Sequence, residues 1–415
     1  MAAAFSIVLL LCAVGGTVVK IKKIPNWVIS FLCMAIYLGI YSYSVPDLRH
    51  FLSYLIKPLL FVLAIVPMAK LLDDYGFFRT VTKLVYRNKH SDLKLYIVSI
   101  LTVATMNLDA GVSLQTPLAM DTIDIQTKEN RNYRSRGILY QPVIAALLAS
   151  SFLPISNLTN LIVISAANLS VIDFLIYLGI PSLAGLFLSW QFYKIKFGKI
   201  NQSIKSEELT FVEKQFLIIG SVFLGLCLVG FVVGSKFGID PFMVAIAGNI
   251  VLLVSPLFFK NKINYRGLSS NVKTIFKAMP YGTCIIAISL SVLAFGFSNY
   301  FNIEQFFIGS SLLTLIQVIL ISAILANLLG NLSTVLVFAP FLDHISKDSL
   351  LSIIFAVNMG PCLLMSGSLA ALLWFKQVRD RKFPVNLKSY VSTMVPICIP
   401  ALVVSEFLLQ VFIRI

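Results

Sequence analysis

Composition, charge placement and the polar interruptions of its apolar runs predict that this chain folds as an all-α, polytopic membrane protein made of two inverted halves. Each half is expected to hold three spans, a re-entrant hairpin, a broken helix and a closing helix. The 415 residues are 58% hydrophobic and only 12% charged, with a mean hydropathy of +0.90. An average soluble domain carries about 25% charged residues, and a soluble chain of this size lacks the interior to hide so much apolar surface. Apolar stretches long enough to cross a bilayer of about 30 Å recur along the chain, without the alternating pattern of a β-barrel.

In order, the apolar spans read as 2–19, 27–45, 53–70, 137–167, 172–190, 215–234, 241–258, 279–298, 350–375 and 390–412. No basic residue precedes the first, and Lys20, Lys22 and Lys23 follow it, so a retained helix is expected there rather than a cleaved signal. Two further regions, 94–123 and 305–342, are interrupted near their middles. The arms 94–107 and 110–123 hold 14 residues each, about 21 Å of helix and too short for the hydrocarbon core. Between them lies Met106-Asn107-Leu108-Asp109-Ala110-Gly111, and a non-helical tip at that depth must be buried in protein or line a cavity. The second region breaks at Asn327-Leu328-Leu329-Gly330-Asn331, after an arm long enough to cross.

The span 137–167 would make a helix of about 46 Å unless interrupted, and Pro154-Ile155-Ser156-Asn157-Leu158-Thr159-Asn160 interrupts it. Proline removes a helical donor, and Ser, Asn and Thr compete for helical hydrogen bonds. In 350–375 the same work falls to Asn358-Met359-Gly360-Pro361 and Ser366-Gly367-Ser368. If both hairpins return to the side they came from, 28 of the 33 basic residues fall on one side. That side is then cytoplasmic and both termini lie outside. The domains follow as a first repeat over 1–190, a polar cytoplasmic linker over 191–214 and a second repeat over 215–415.

The net charge of +15 invites a nucleic-acid reading. The Lys and Arg, however, sit in short connections between spans, as orientation in a membrane requires, so no nucleic-acid partner is expected. Six dispersed cysteines make no C-x-x-C pair, and His50, His90 and His344 read as loop residues. No metal site, cofactor or catalytic residue is therefore expected, and an intramembrane enzyme is disfavoured.

Inverted repeats with discontinuous helices in matching places point to a transport site near the midplane. The candidate solute-binding residues are Asn107 at the first tip; Ser156, Asn157, Thr159 and Asn160 at the first break; Asn327, Asn331 and Ser333 at the second tip; and Asn358, Gly360, Ser366 and Ser368 at the second break. Such residues also tie helices together in bundles, but recurrence in four matched places favours a site. Asp109, a carboxylate at membrane depth, is the candidate proton-coupling group, against the plainer reading of a cap on the second hairpin arm. Glu406, without an obvious partner, reads as structural or interfacial, Asp73-Asp74 as a solvated helix end, and Cys362 as packing more than as a soft ligand.

At these residues the chain resembles the ion transporter superfamily, particularly the arsenical pump membrane proteins. The resemblance rests on Asn107 to Val112 with Thr116-Pro117, on Pro154 to Leu161, on Asn327 to Pro340, and on Asn358 to Pro361 with Gly367 to Ala370 and Leu373-Trp374. It implies secondary transport: proton-coupled export of arsenite or antimonite, or a similar small inorganic solute, across the plasma membrane. Asp109 would carry the coupling proton, and Asn157, Thr159, Asn331 and Asn358 would lie near the solute or at the tips. The second tip departs from the family, which commonly has two Asn followed by Leu-Pro where this chain has Gly330-Asn331-Leu332-Ser333. A homodimer and the family's separate ATPase subunit are left open. The alternative is a sodium- or proton-coupled carboxylate or anion transporter, or a cation/proton antiporter, of the same superfamily.

Overall fold

The computed structural model describes residues 2–18, 24–41, 45–86, 91–126, 133–167, 169–198, 210–258, 268–300, 307, 311–342 and 345–414. Lys20, Lys22, Lys23, His90, His344, residues 199–209 of the expected linker and most of 301–310 lie outside them.

Among the described residues every regular element is helical. Six helical stretches are long and apolar enough to cross a membrane: Leu52–Asp74, Val171–Phe197, Phe211–Gly234, Ser270–Ser298, Leu312–Leu329 and Leu387–Arg414. The first half runs α1 (Ala2–Val18), α2 (Asn26–Ile40) and α3 (Val45–Asp74), then a short α4 (Phe77–Tyr86). The hairpin arms α5 (Ser91–Met106) and α6 (Leu108–Gln126) follow, and then α7 (Tyr133–Ala149) and α8 (Leu158–Ala166), parted by a single tight turn at Pro154–Ser156. One turn of α9 (Val171–Phe174) and a π turn lead into α10 (Ile180–Phe197). The second half runs α11 (Phe211–Gly234), α12 (Pro241–Phe258), the short α13 (Leu268–Ala278) and α14 (Tyr281–Ser298). Its hairpin is α15 (Leu312–Leu329) and α16 (Asn331–Phe338), its broken helix α17 (Lys347–Met359) and α18 (Leu369–Asp380), and its last span α19 (Leu387–Arg414).

Burial divides these helices by role. From Gly137 to Ala149 every residue of α7 is buried, and so is every residue of α17 from Ser349 on, so the two broken helices form the centre. By contrast, Ile218, Val222, Leu226, Val229 and Val233 of α11 are exposed at helical spacing. An apolar stripe of that length open to water would aggregate; it is lipid-facing surface.

Packing follows a regular exchange. The first hairpin arm α5 packs on α7 and on the Pro154–Ser156 turn, as α15 packs on α17 and on the Met365–Gly367 turn. The second arm α6 packs on α18, and α16 on α8. In the surround, α3 packs on α12 and α14 on α2, while α10 and α19 pack on each other.

Two elements were not expected. Residues in the basic connections between the expected spans, 71–93 and 259–278, form α4 and α13, short amphipathic helices of the kind that lie along a membrane interface. In α4, Phe77 and Phe78 are buried beside exposed Arg79, and Phe77 packs against Gly220 of α11. Asn271 of α13 donates to Tyr75 Oη (3.1 Å), which donates to the Leu252 carbonyl (2.8 Å). The helix α3 also starts eight residues earlier than the expected 53, which puts His50 in a helix rather than a loop. Asp73 and Asp74 are not merely solvated: Lys70 pairs with both, at 3.0 and 2.8 Å.

Candidate functional site

The first hairpin turns at Asn107, whose φ of 82° lies in the left-handed region that Asn tolerates better than most residues. Its Oδ1 accepts the Asp109 N–H at 2.9 Å and so caps α6. The capping duty considered for Asp109 therefore belongs to Asn107. Asp109 stands half-buried in the first turn of α6, and its Oδ1 is buried with no hydrogen-bond partner. The second hairpin turns at Gly330, whose φ of 88° requires no Cβ. Asn331 begins α16 there, its Oδ1 accepting the Leu332 N–H at 2.9 Å.

A cavity of about 480 Å³ lies between the two tips. Asn107, Asp109 and Ser113 line it from the first hairpin, Gly330, Asn331 and Ser333 from the second, and Ser366 from the second break. Apolar walls come from Val62 and Val66 of α3, Ile286 and Leu290 of α14, and Leu373 of α18. Thr17, Asn26, Trp27 and Lys70, at the ends of α1 to α3, complete the lining on the side of the basic loops. Among the described residues of this lining Asp109 is the one acid and Lys70 the one base, and Lys70 is engaged by Asp73 and Asp74.

The remaining candidates gather elsewhere. Asn157 Nδ2 and Thr159 Oγ1 donate to Asn358 Oδ1 at 2.7 and 2.9 Å. Asn358 Nδ2 donates to Asn160 Oδ1 (2.7 Å) and Ser151 Oγ (3.1 Å). Asn160 Nδ2 reaches the carbonyls of Ser150 (2.6 Å) and Leu153 (3.1 Å), and Asn157 Oδ1 accepts the Thr159 N–H at 3.3 Å. These buried amides satisfy one another and cross-link the two broken helices. Asn327 is equally saturated: its Nδ2 donates to the Ala323 and Gly360 carbonyls, both at 2.8 Å, and its Oδ1 accepts from Leu363 (2.9 Å) and Leu364 (3.0 Å). Gly360 allows that approach, since a Cβ there would sit 2.2 Å from the Ala356 carbonyl oxygen and 2.8 Å from Ala323 Cβ. Ser156 accepts the Leu153 N–H at 3.0 Å, and Ser368 is buried with no partner for its hydroxyl.

Of the candidates, then, Asn107, Asp109, Asn331, Ser333 and Ser366 line the cavity, while Ser156, Asn157, Thr159, Asn160, Asn327, Asn358, Gly360 and Ser368 do not. Cys362 is buried outside the lining. Ser113 was missed, although it lies one turn beyond Asp109 on the same face of α6, a spacing that could have found it. Asn26, Trp27 and Lys70 carried no such signal, because they read as the ends of ordinary spans. Glu406 does have partners: Ser352 Oγ and Gln410 Nε2 both donate to its Oε1. Among the described residues no group of three or more His, Cys, Asp and Glu could hold a metal.

A second cavity, of about 420 Å³, lies where α3, α8 and the start of α12 meet. Leu161, Ile164 and Phe61 line it, with Lys57, Lys236 and Asp240, and Lys57 pairs with Asp240 at 3.0 Å.

A family model described as "Citrate transporter" (CitMHS) matches residues 3–357. The arsenical pump membrane proteins of Yersinia enterocolitica and of Escherichia coli K12 are 21% and 22% identical to this chain, each over 383 residues covering 83% of both chains. Among solved structures, the YdaH transporter of Alcanivorax borkumensis superposes with a TM-score of 0.59 at 13% identity, over 94% of this chain and 97% of its own. Neisseria gonorrhoeae MtrF gives 0.50 at 15%, over 94% and 95%. At these identities the structures share a fold.

Proposed function

The chain belongs to the citrate-transporter family, and from that premise we propose that this multi-pass membrane transporter exports a small uncharged inorganic solute, arsenite or antimonite as the neutral hydroxide, in exchange for protons. The solute site is the cavity between the hairpin tips. Asn107, Asn331, Ser333 and Ser366 hold the solute's hydroxyls, and Asp109 binds the coupling proton.

One observation carries this choice of solute: among the described residues the cavity lining contains a carboxylate and no free cation. A tricarboxylate placed beside Asp109 would bring like charges together in a low-dielectric site with nothing to neutralise them. A neutral hydroxide meets no such barrier, and the polar tips offer it both donors and acceptors. The family description and the start of α16 at Asn331, a positive dipole end, speak for the carboxylate reading.

Transport proceeds by alternating access between two inverted halves. The matched packing of the two halves supports that symmetry. So do the two cavities, since exchanging the halves turns the α18–α14 wall of the first into the α8–α3 wall of the second. In this cytoplasm-facing form, ionised Asp109 admits the solute. Movement of the hairpins then presents the site to the second cavity, where a proton from outside displaces the solute. The differential affinity of each ligand for the two forms drives the cycle. The linker 191–214 joins the repeats 1–190 and 215–415 on the cytoplasmic face of the plasma membrane, with both termini outside.

The test is uptake of arsenite into inverted membrane vesicles with and without a proton gradient, beside citrate and succinate. Gradient-driven arsenite accumulation is expected, abolished by Asp109→Asn with the thermal transition intact. Citrate uptake without arsenite movement would transfer the function to the carboxylate reading.

A further inference from the structure

Glu406 lies on α19, two helical turns before Arg414, far along the chain from either hairpin tip. It is 7% exposed. Its Oε1 accepts from Ser352 Oγ of α17 and, at 2.9 Å, from Gln410 Nε2 one turn further along its own helix. Gln410 Nε2 also reaches Ser352 Oγ at 3.2 Å. Two acceptors of this cluster, Glu406 Oε2 and Gln410 Oε1, are buried with no hydrogen-bond partner. A buried carboxylate with an orphaned oxygen is costly unless something supplies a donor.

The helices packed against α19 are α7, α10 and α17, together with the π turn at Leu175–Gly179. These elements carry Tyr140 on α7 and Tyr193 on α10, both buried. Lys347 at the start of α17 sits 4.0 Å over the Tyr177 ring, and Asp173 accepts from Ser170 Oγ at 2.7 Å. Asp348 lies in the first turn of α17. Lys194 and Lys196 stand at the far end of α10, and Lys388 at the start of α19. Among the described residues no ion pair reaches Glu406, whose recorded partners are Ser352 and Gln410.

We propose that Glu406, with Ser352 and Gln410, is a second proton-binding site that loads from the outer face and contributes one proton per transport cycle. A proton on Oε2 is the donor the cluster lacks. A sodium ion would need a shell of oxygens that one carboxylate, one amide and an already donating hydroxyl do not provide. Half-buried Gln410 lies between the carboxylate and exposed Arg414 at the helix end, the end nearest the face from which the site loads. The link to the solute is α17: the helix that carries Ser352 ends at Met359, and the break that follows places Ser366 in the solute cavity. Proton loading at Glu406 thereby biases the helix whose broken end forms one wall of the site.

This inference rests on the proton-coupled reading above, and the experiment separates the two. In proteoliposomes holding the full chain, arsenite accumulation at steady state is measured against an imposed pH difference with the membrane potential clamped at zero. With two protons exchanged per neutral solute, each pH unit supports about a 100-fold gradient; with one, about tenfold. The wild type is expected to follow the 100-fold line and Glu406→Gln the tenfold line. Asp348→Asn, which removes a carboxylate from the same helix α17 outside the cluster, is expected to stay on the 100-fold line. A wild type on the tenfold line, or Glu406→Gln unchanged from a 100-fold wild type, overturns the proposal. If Glu406→Gln fails to accumulate in the membrane, Glu406→Met is read against the same two lines, with the tenfold line expected and the 100-fold line overturning the proposal. A wild type with no response to the pH gradient removes the proton-coupled reading itself, and the second site with it.

Discussion

At position 107 one amide both tolerates a left-handed backbone and caps the helix that follows. Replacing it with Gly keeps the turn and loses little, whereas Ala loses the cap, about 1 kcal/mol, and adds a left-handed strain of about 1–2 kcal/mol. Asn107→Ala is therefore expected to lower the thermal transition in detergent clearly more than Asn107→Gly does; equal losses would remove the backbone argument. Asp109 was legible in the sequence because a carboxylate and an amide interrupt an otherwise apolar run. The amides at 157, 160 and 358 were legible only as breaks. Whether an amide faces solute or another amide depends on a partner 201 residues away, as for Asn157 and Asn358, and nothing local records that.

Among elements, the two hairpins differ in how they are held. The second is fastened to its neighbouring break by Asn327, and the close pass at Gly360 leaves no room for a methyl. Gly360→Ala is expected to destabilise by about 1–3 kcal/mol through overpacking, read as a lower midpoint in thermal unfolding. On the opposite face Lys57 and Asp240 tie α3 to α12 beside the second cavity. As a solvent-facing pair it contributes at most about 1 kcal/mol, so its removal should barely move stability. Lys57→Ala is nevertheless expected to raise labelling of Ser165→Cys, a position that lines the same cavity, by a membrane-impermeant thiol reagent, and Lys57→Asp combined with Asp240→Lys to restore protection. Unchanged labelling would show that the pair does not restrict access to the second cavity. Most ends of the long apolar elements were read from the sequence to within a few residues, but α3 begins eight residues before the expected 53 and α10 ends seven after the expected 190. The amphipathic α4 and α13 were not, because short helices rich in Lys and Arg look like the charged loops that orient a membrane protein.

For the whole molecule, hydropathy alone set the class, since no packing of 415 residues could bury this composition away from lipid. The centre is a different matter. Asn358 holds hydrogen bonds from Asn157 and Thr159 and gives them to Asn160 and Ser151. Asn358→Ala would strand several buried polar groups at once, each costing about 1–3 kcal/mol. Loss of folded protein, rather than a selective loss of transport, is the expected result, read by monodispersity after detergent extraction. That same knot constrains biogenesis. The first break enters the membrane with Asn157 Nδ2 and Asn160 Oδ1 unmet, and the residue that completes them is 201 positions behind Asn157 on the nascent chain. At about 5–20 residues per second, on the order of ten to forty seconds pass before Asn358 is made. During that interval the insertion machinery, water or lipid headgroups must hold the N-terminal half. A ribosome stalled in this window would release a fragment whose broken helix cannot close, marked for membrane quality control by its own unpaired amides.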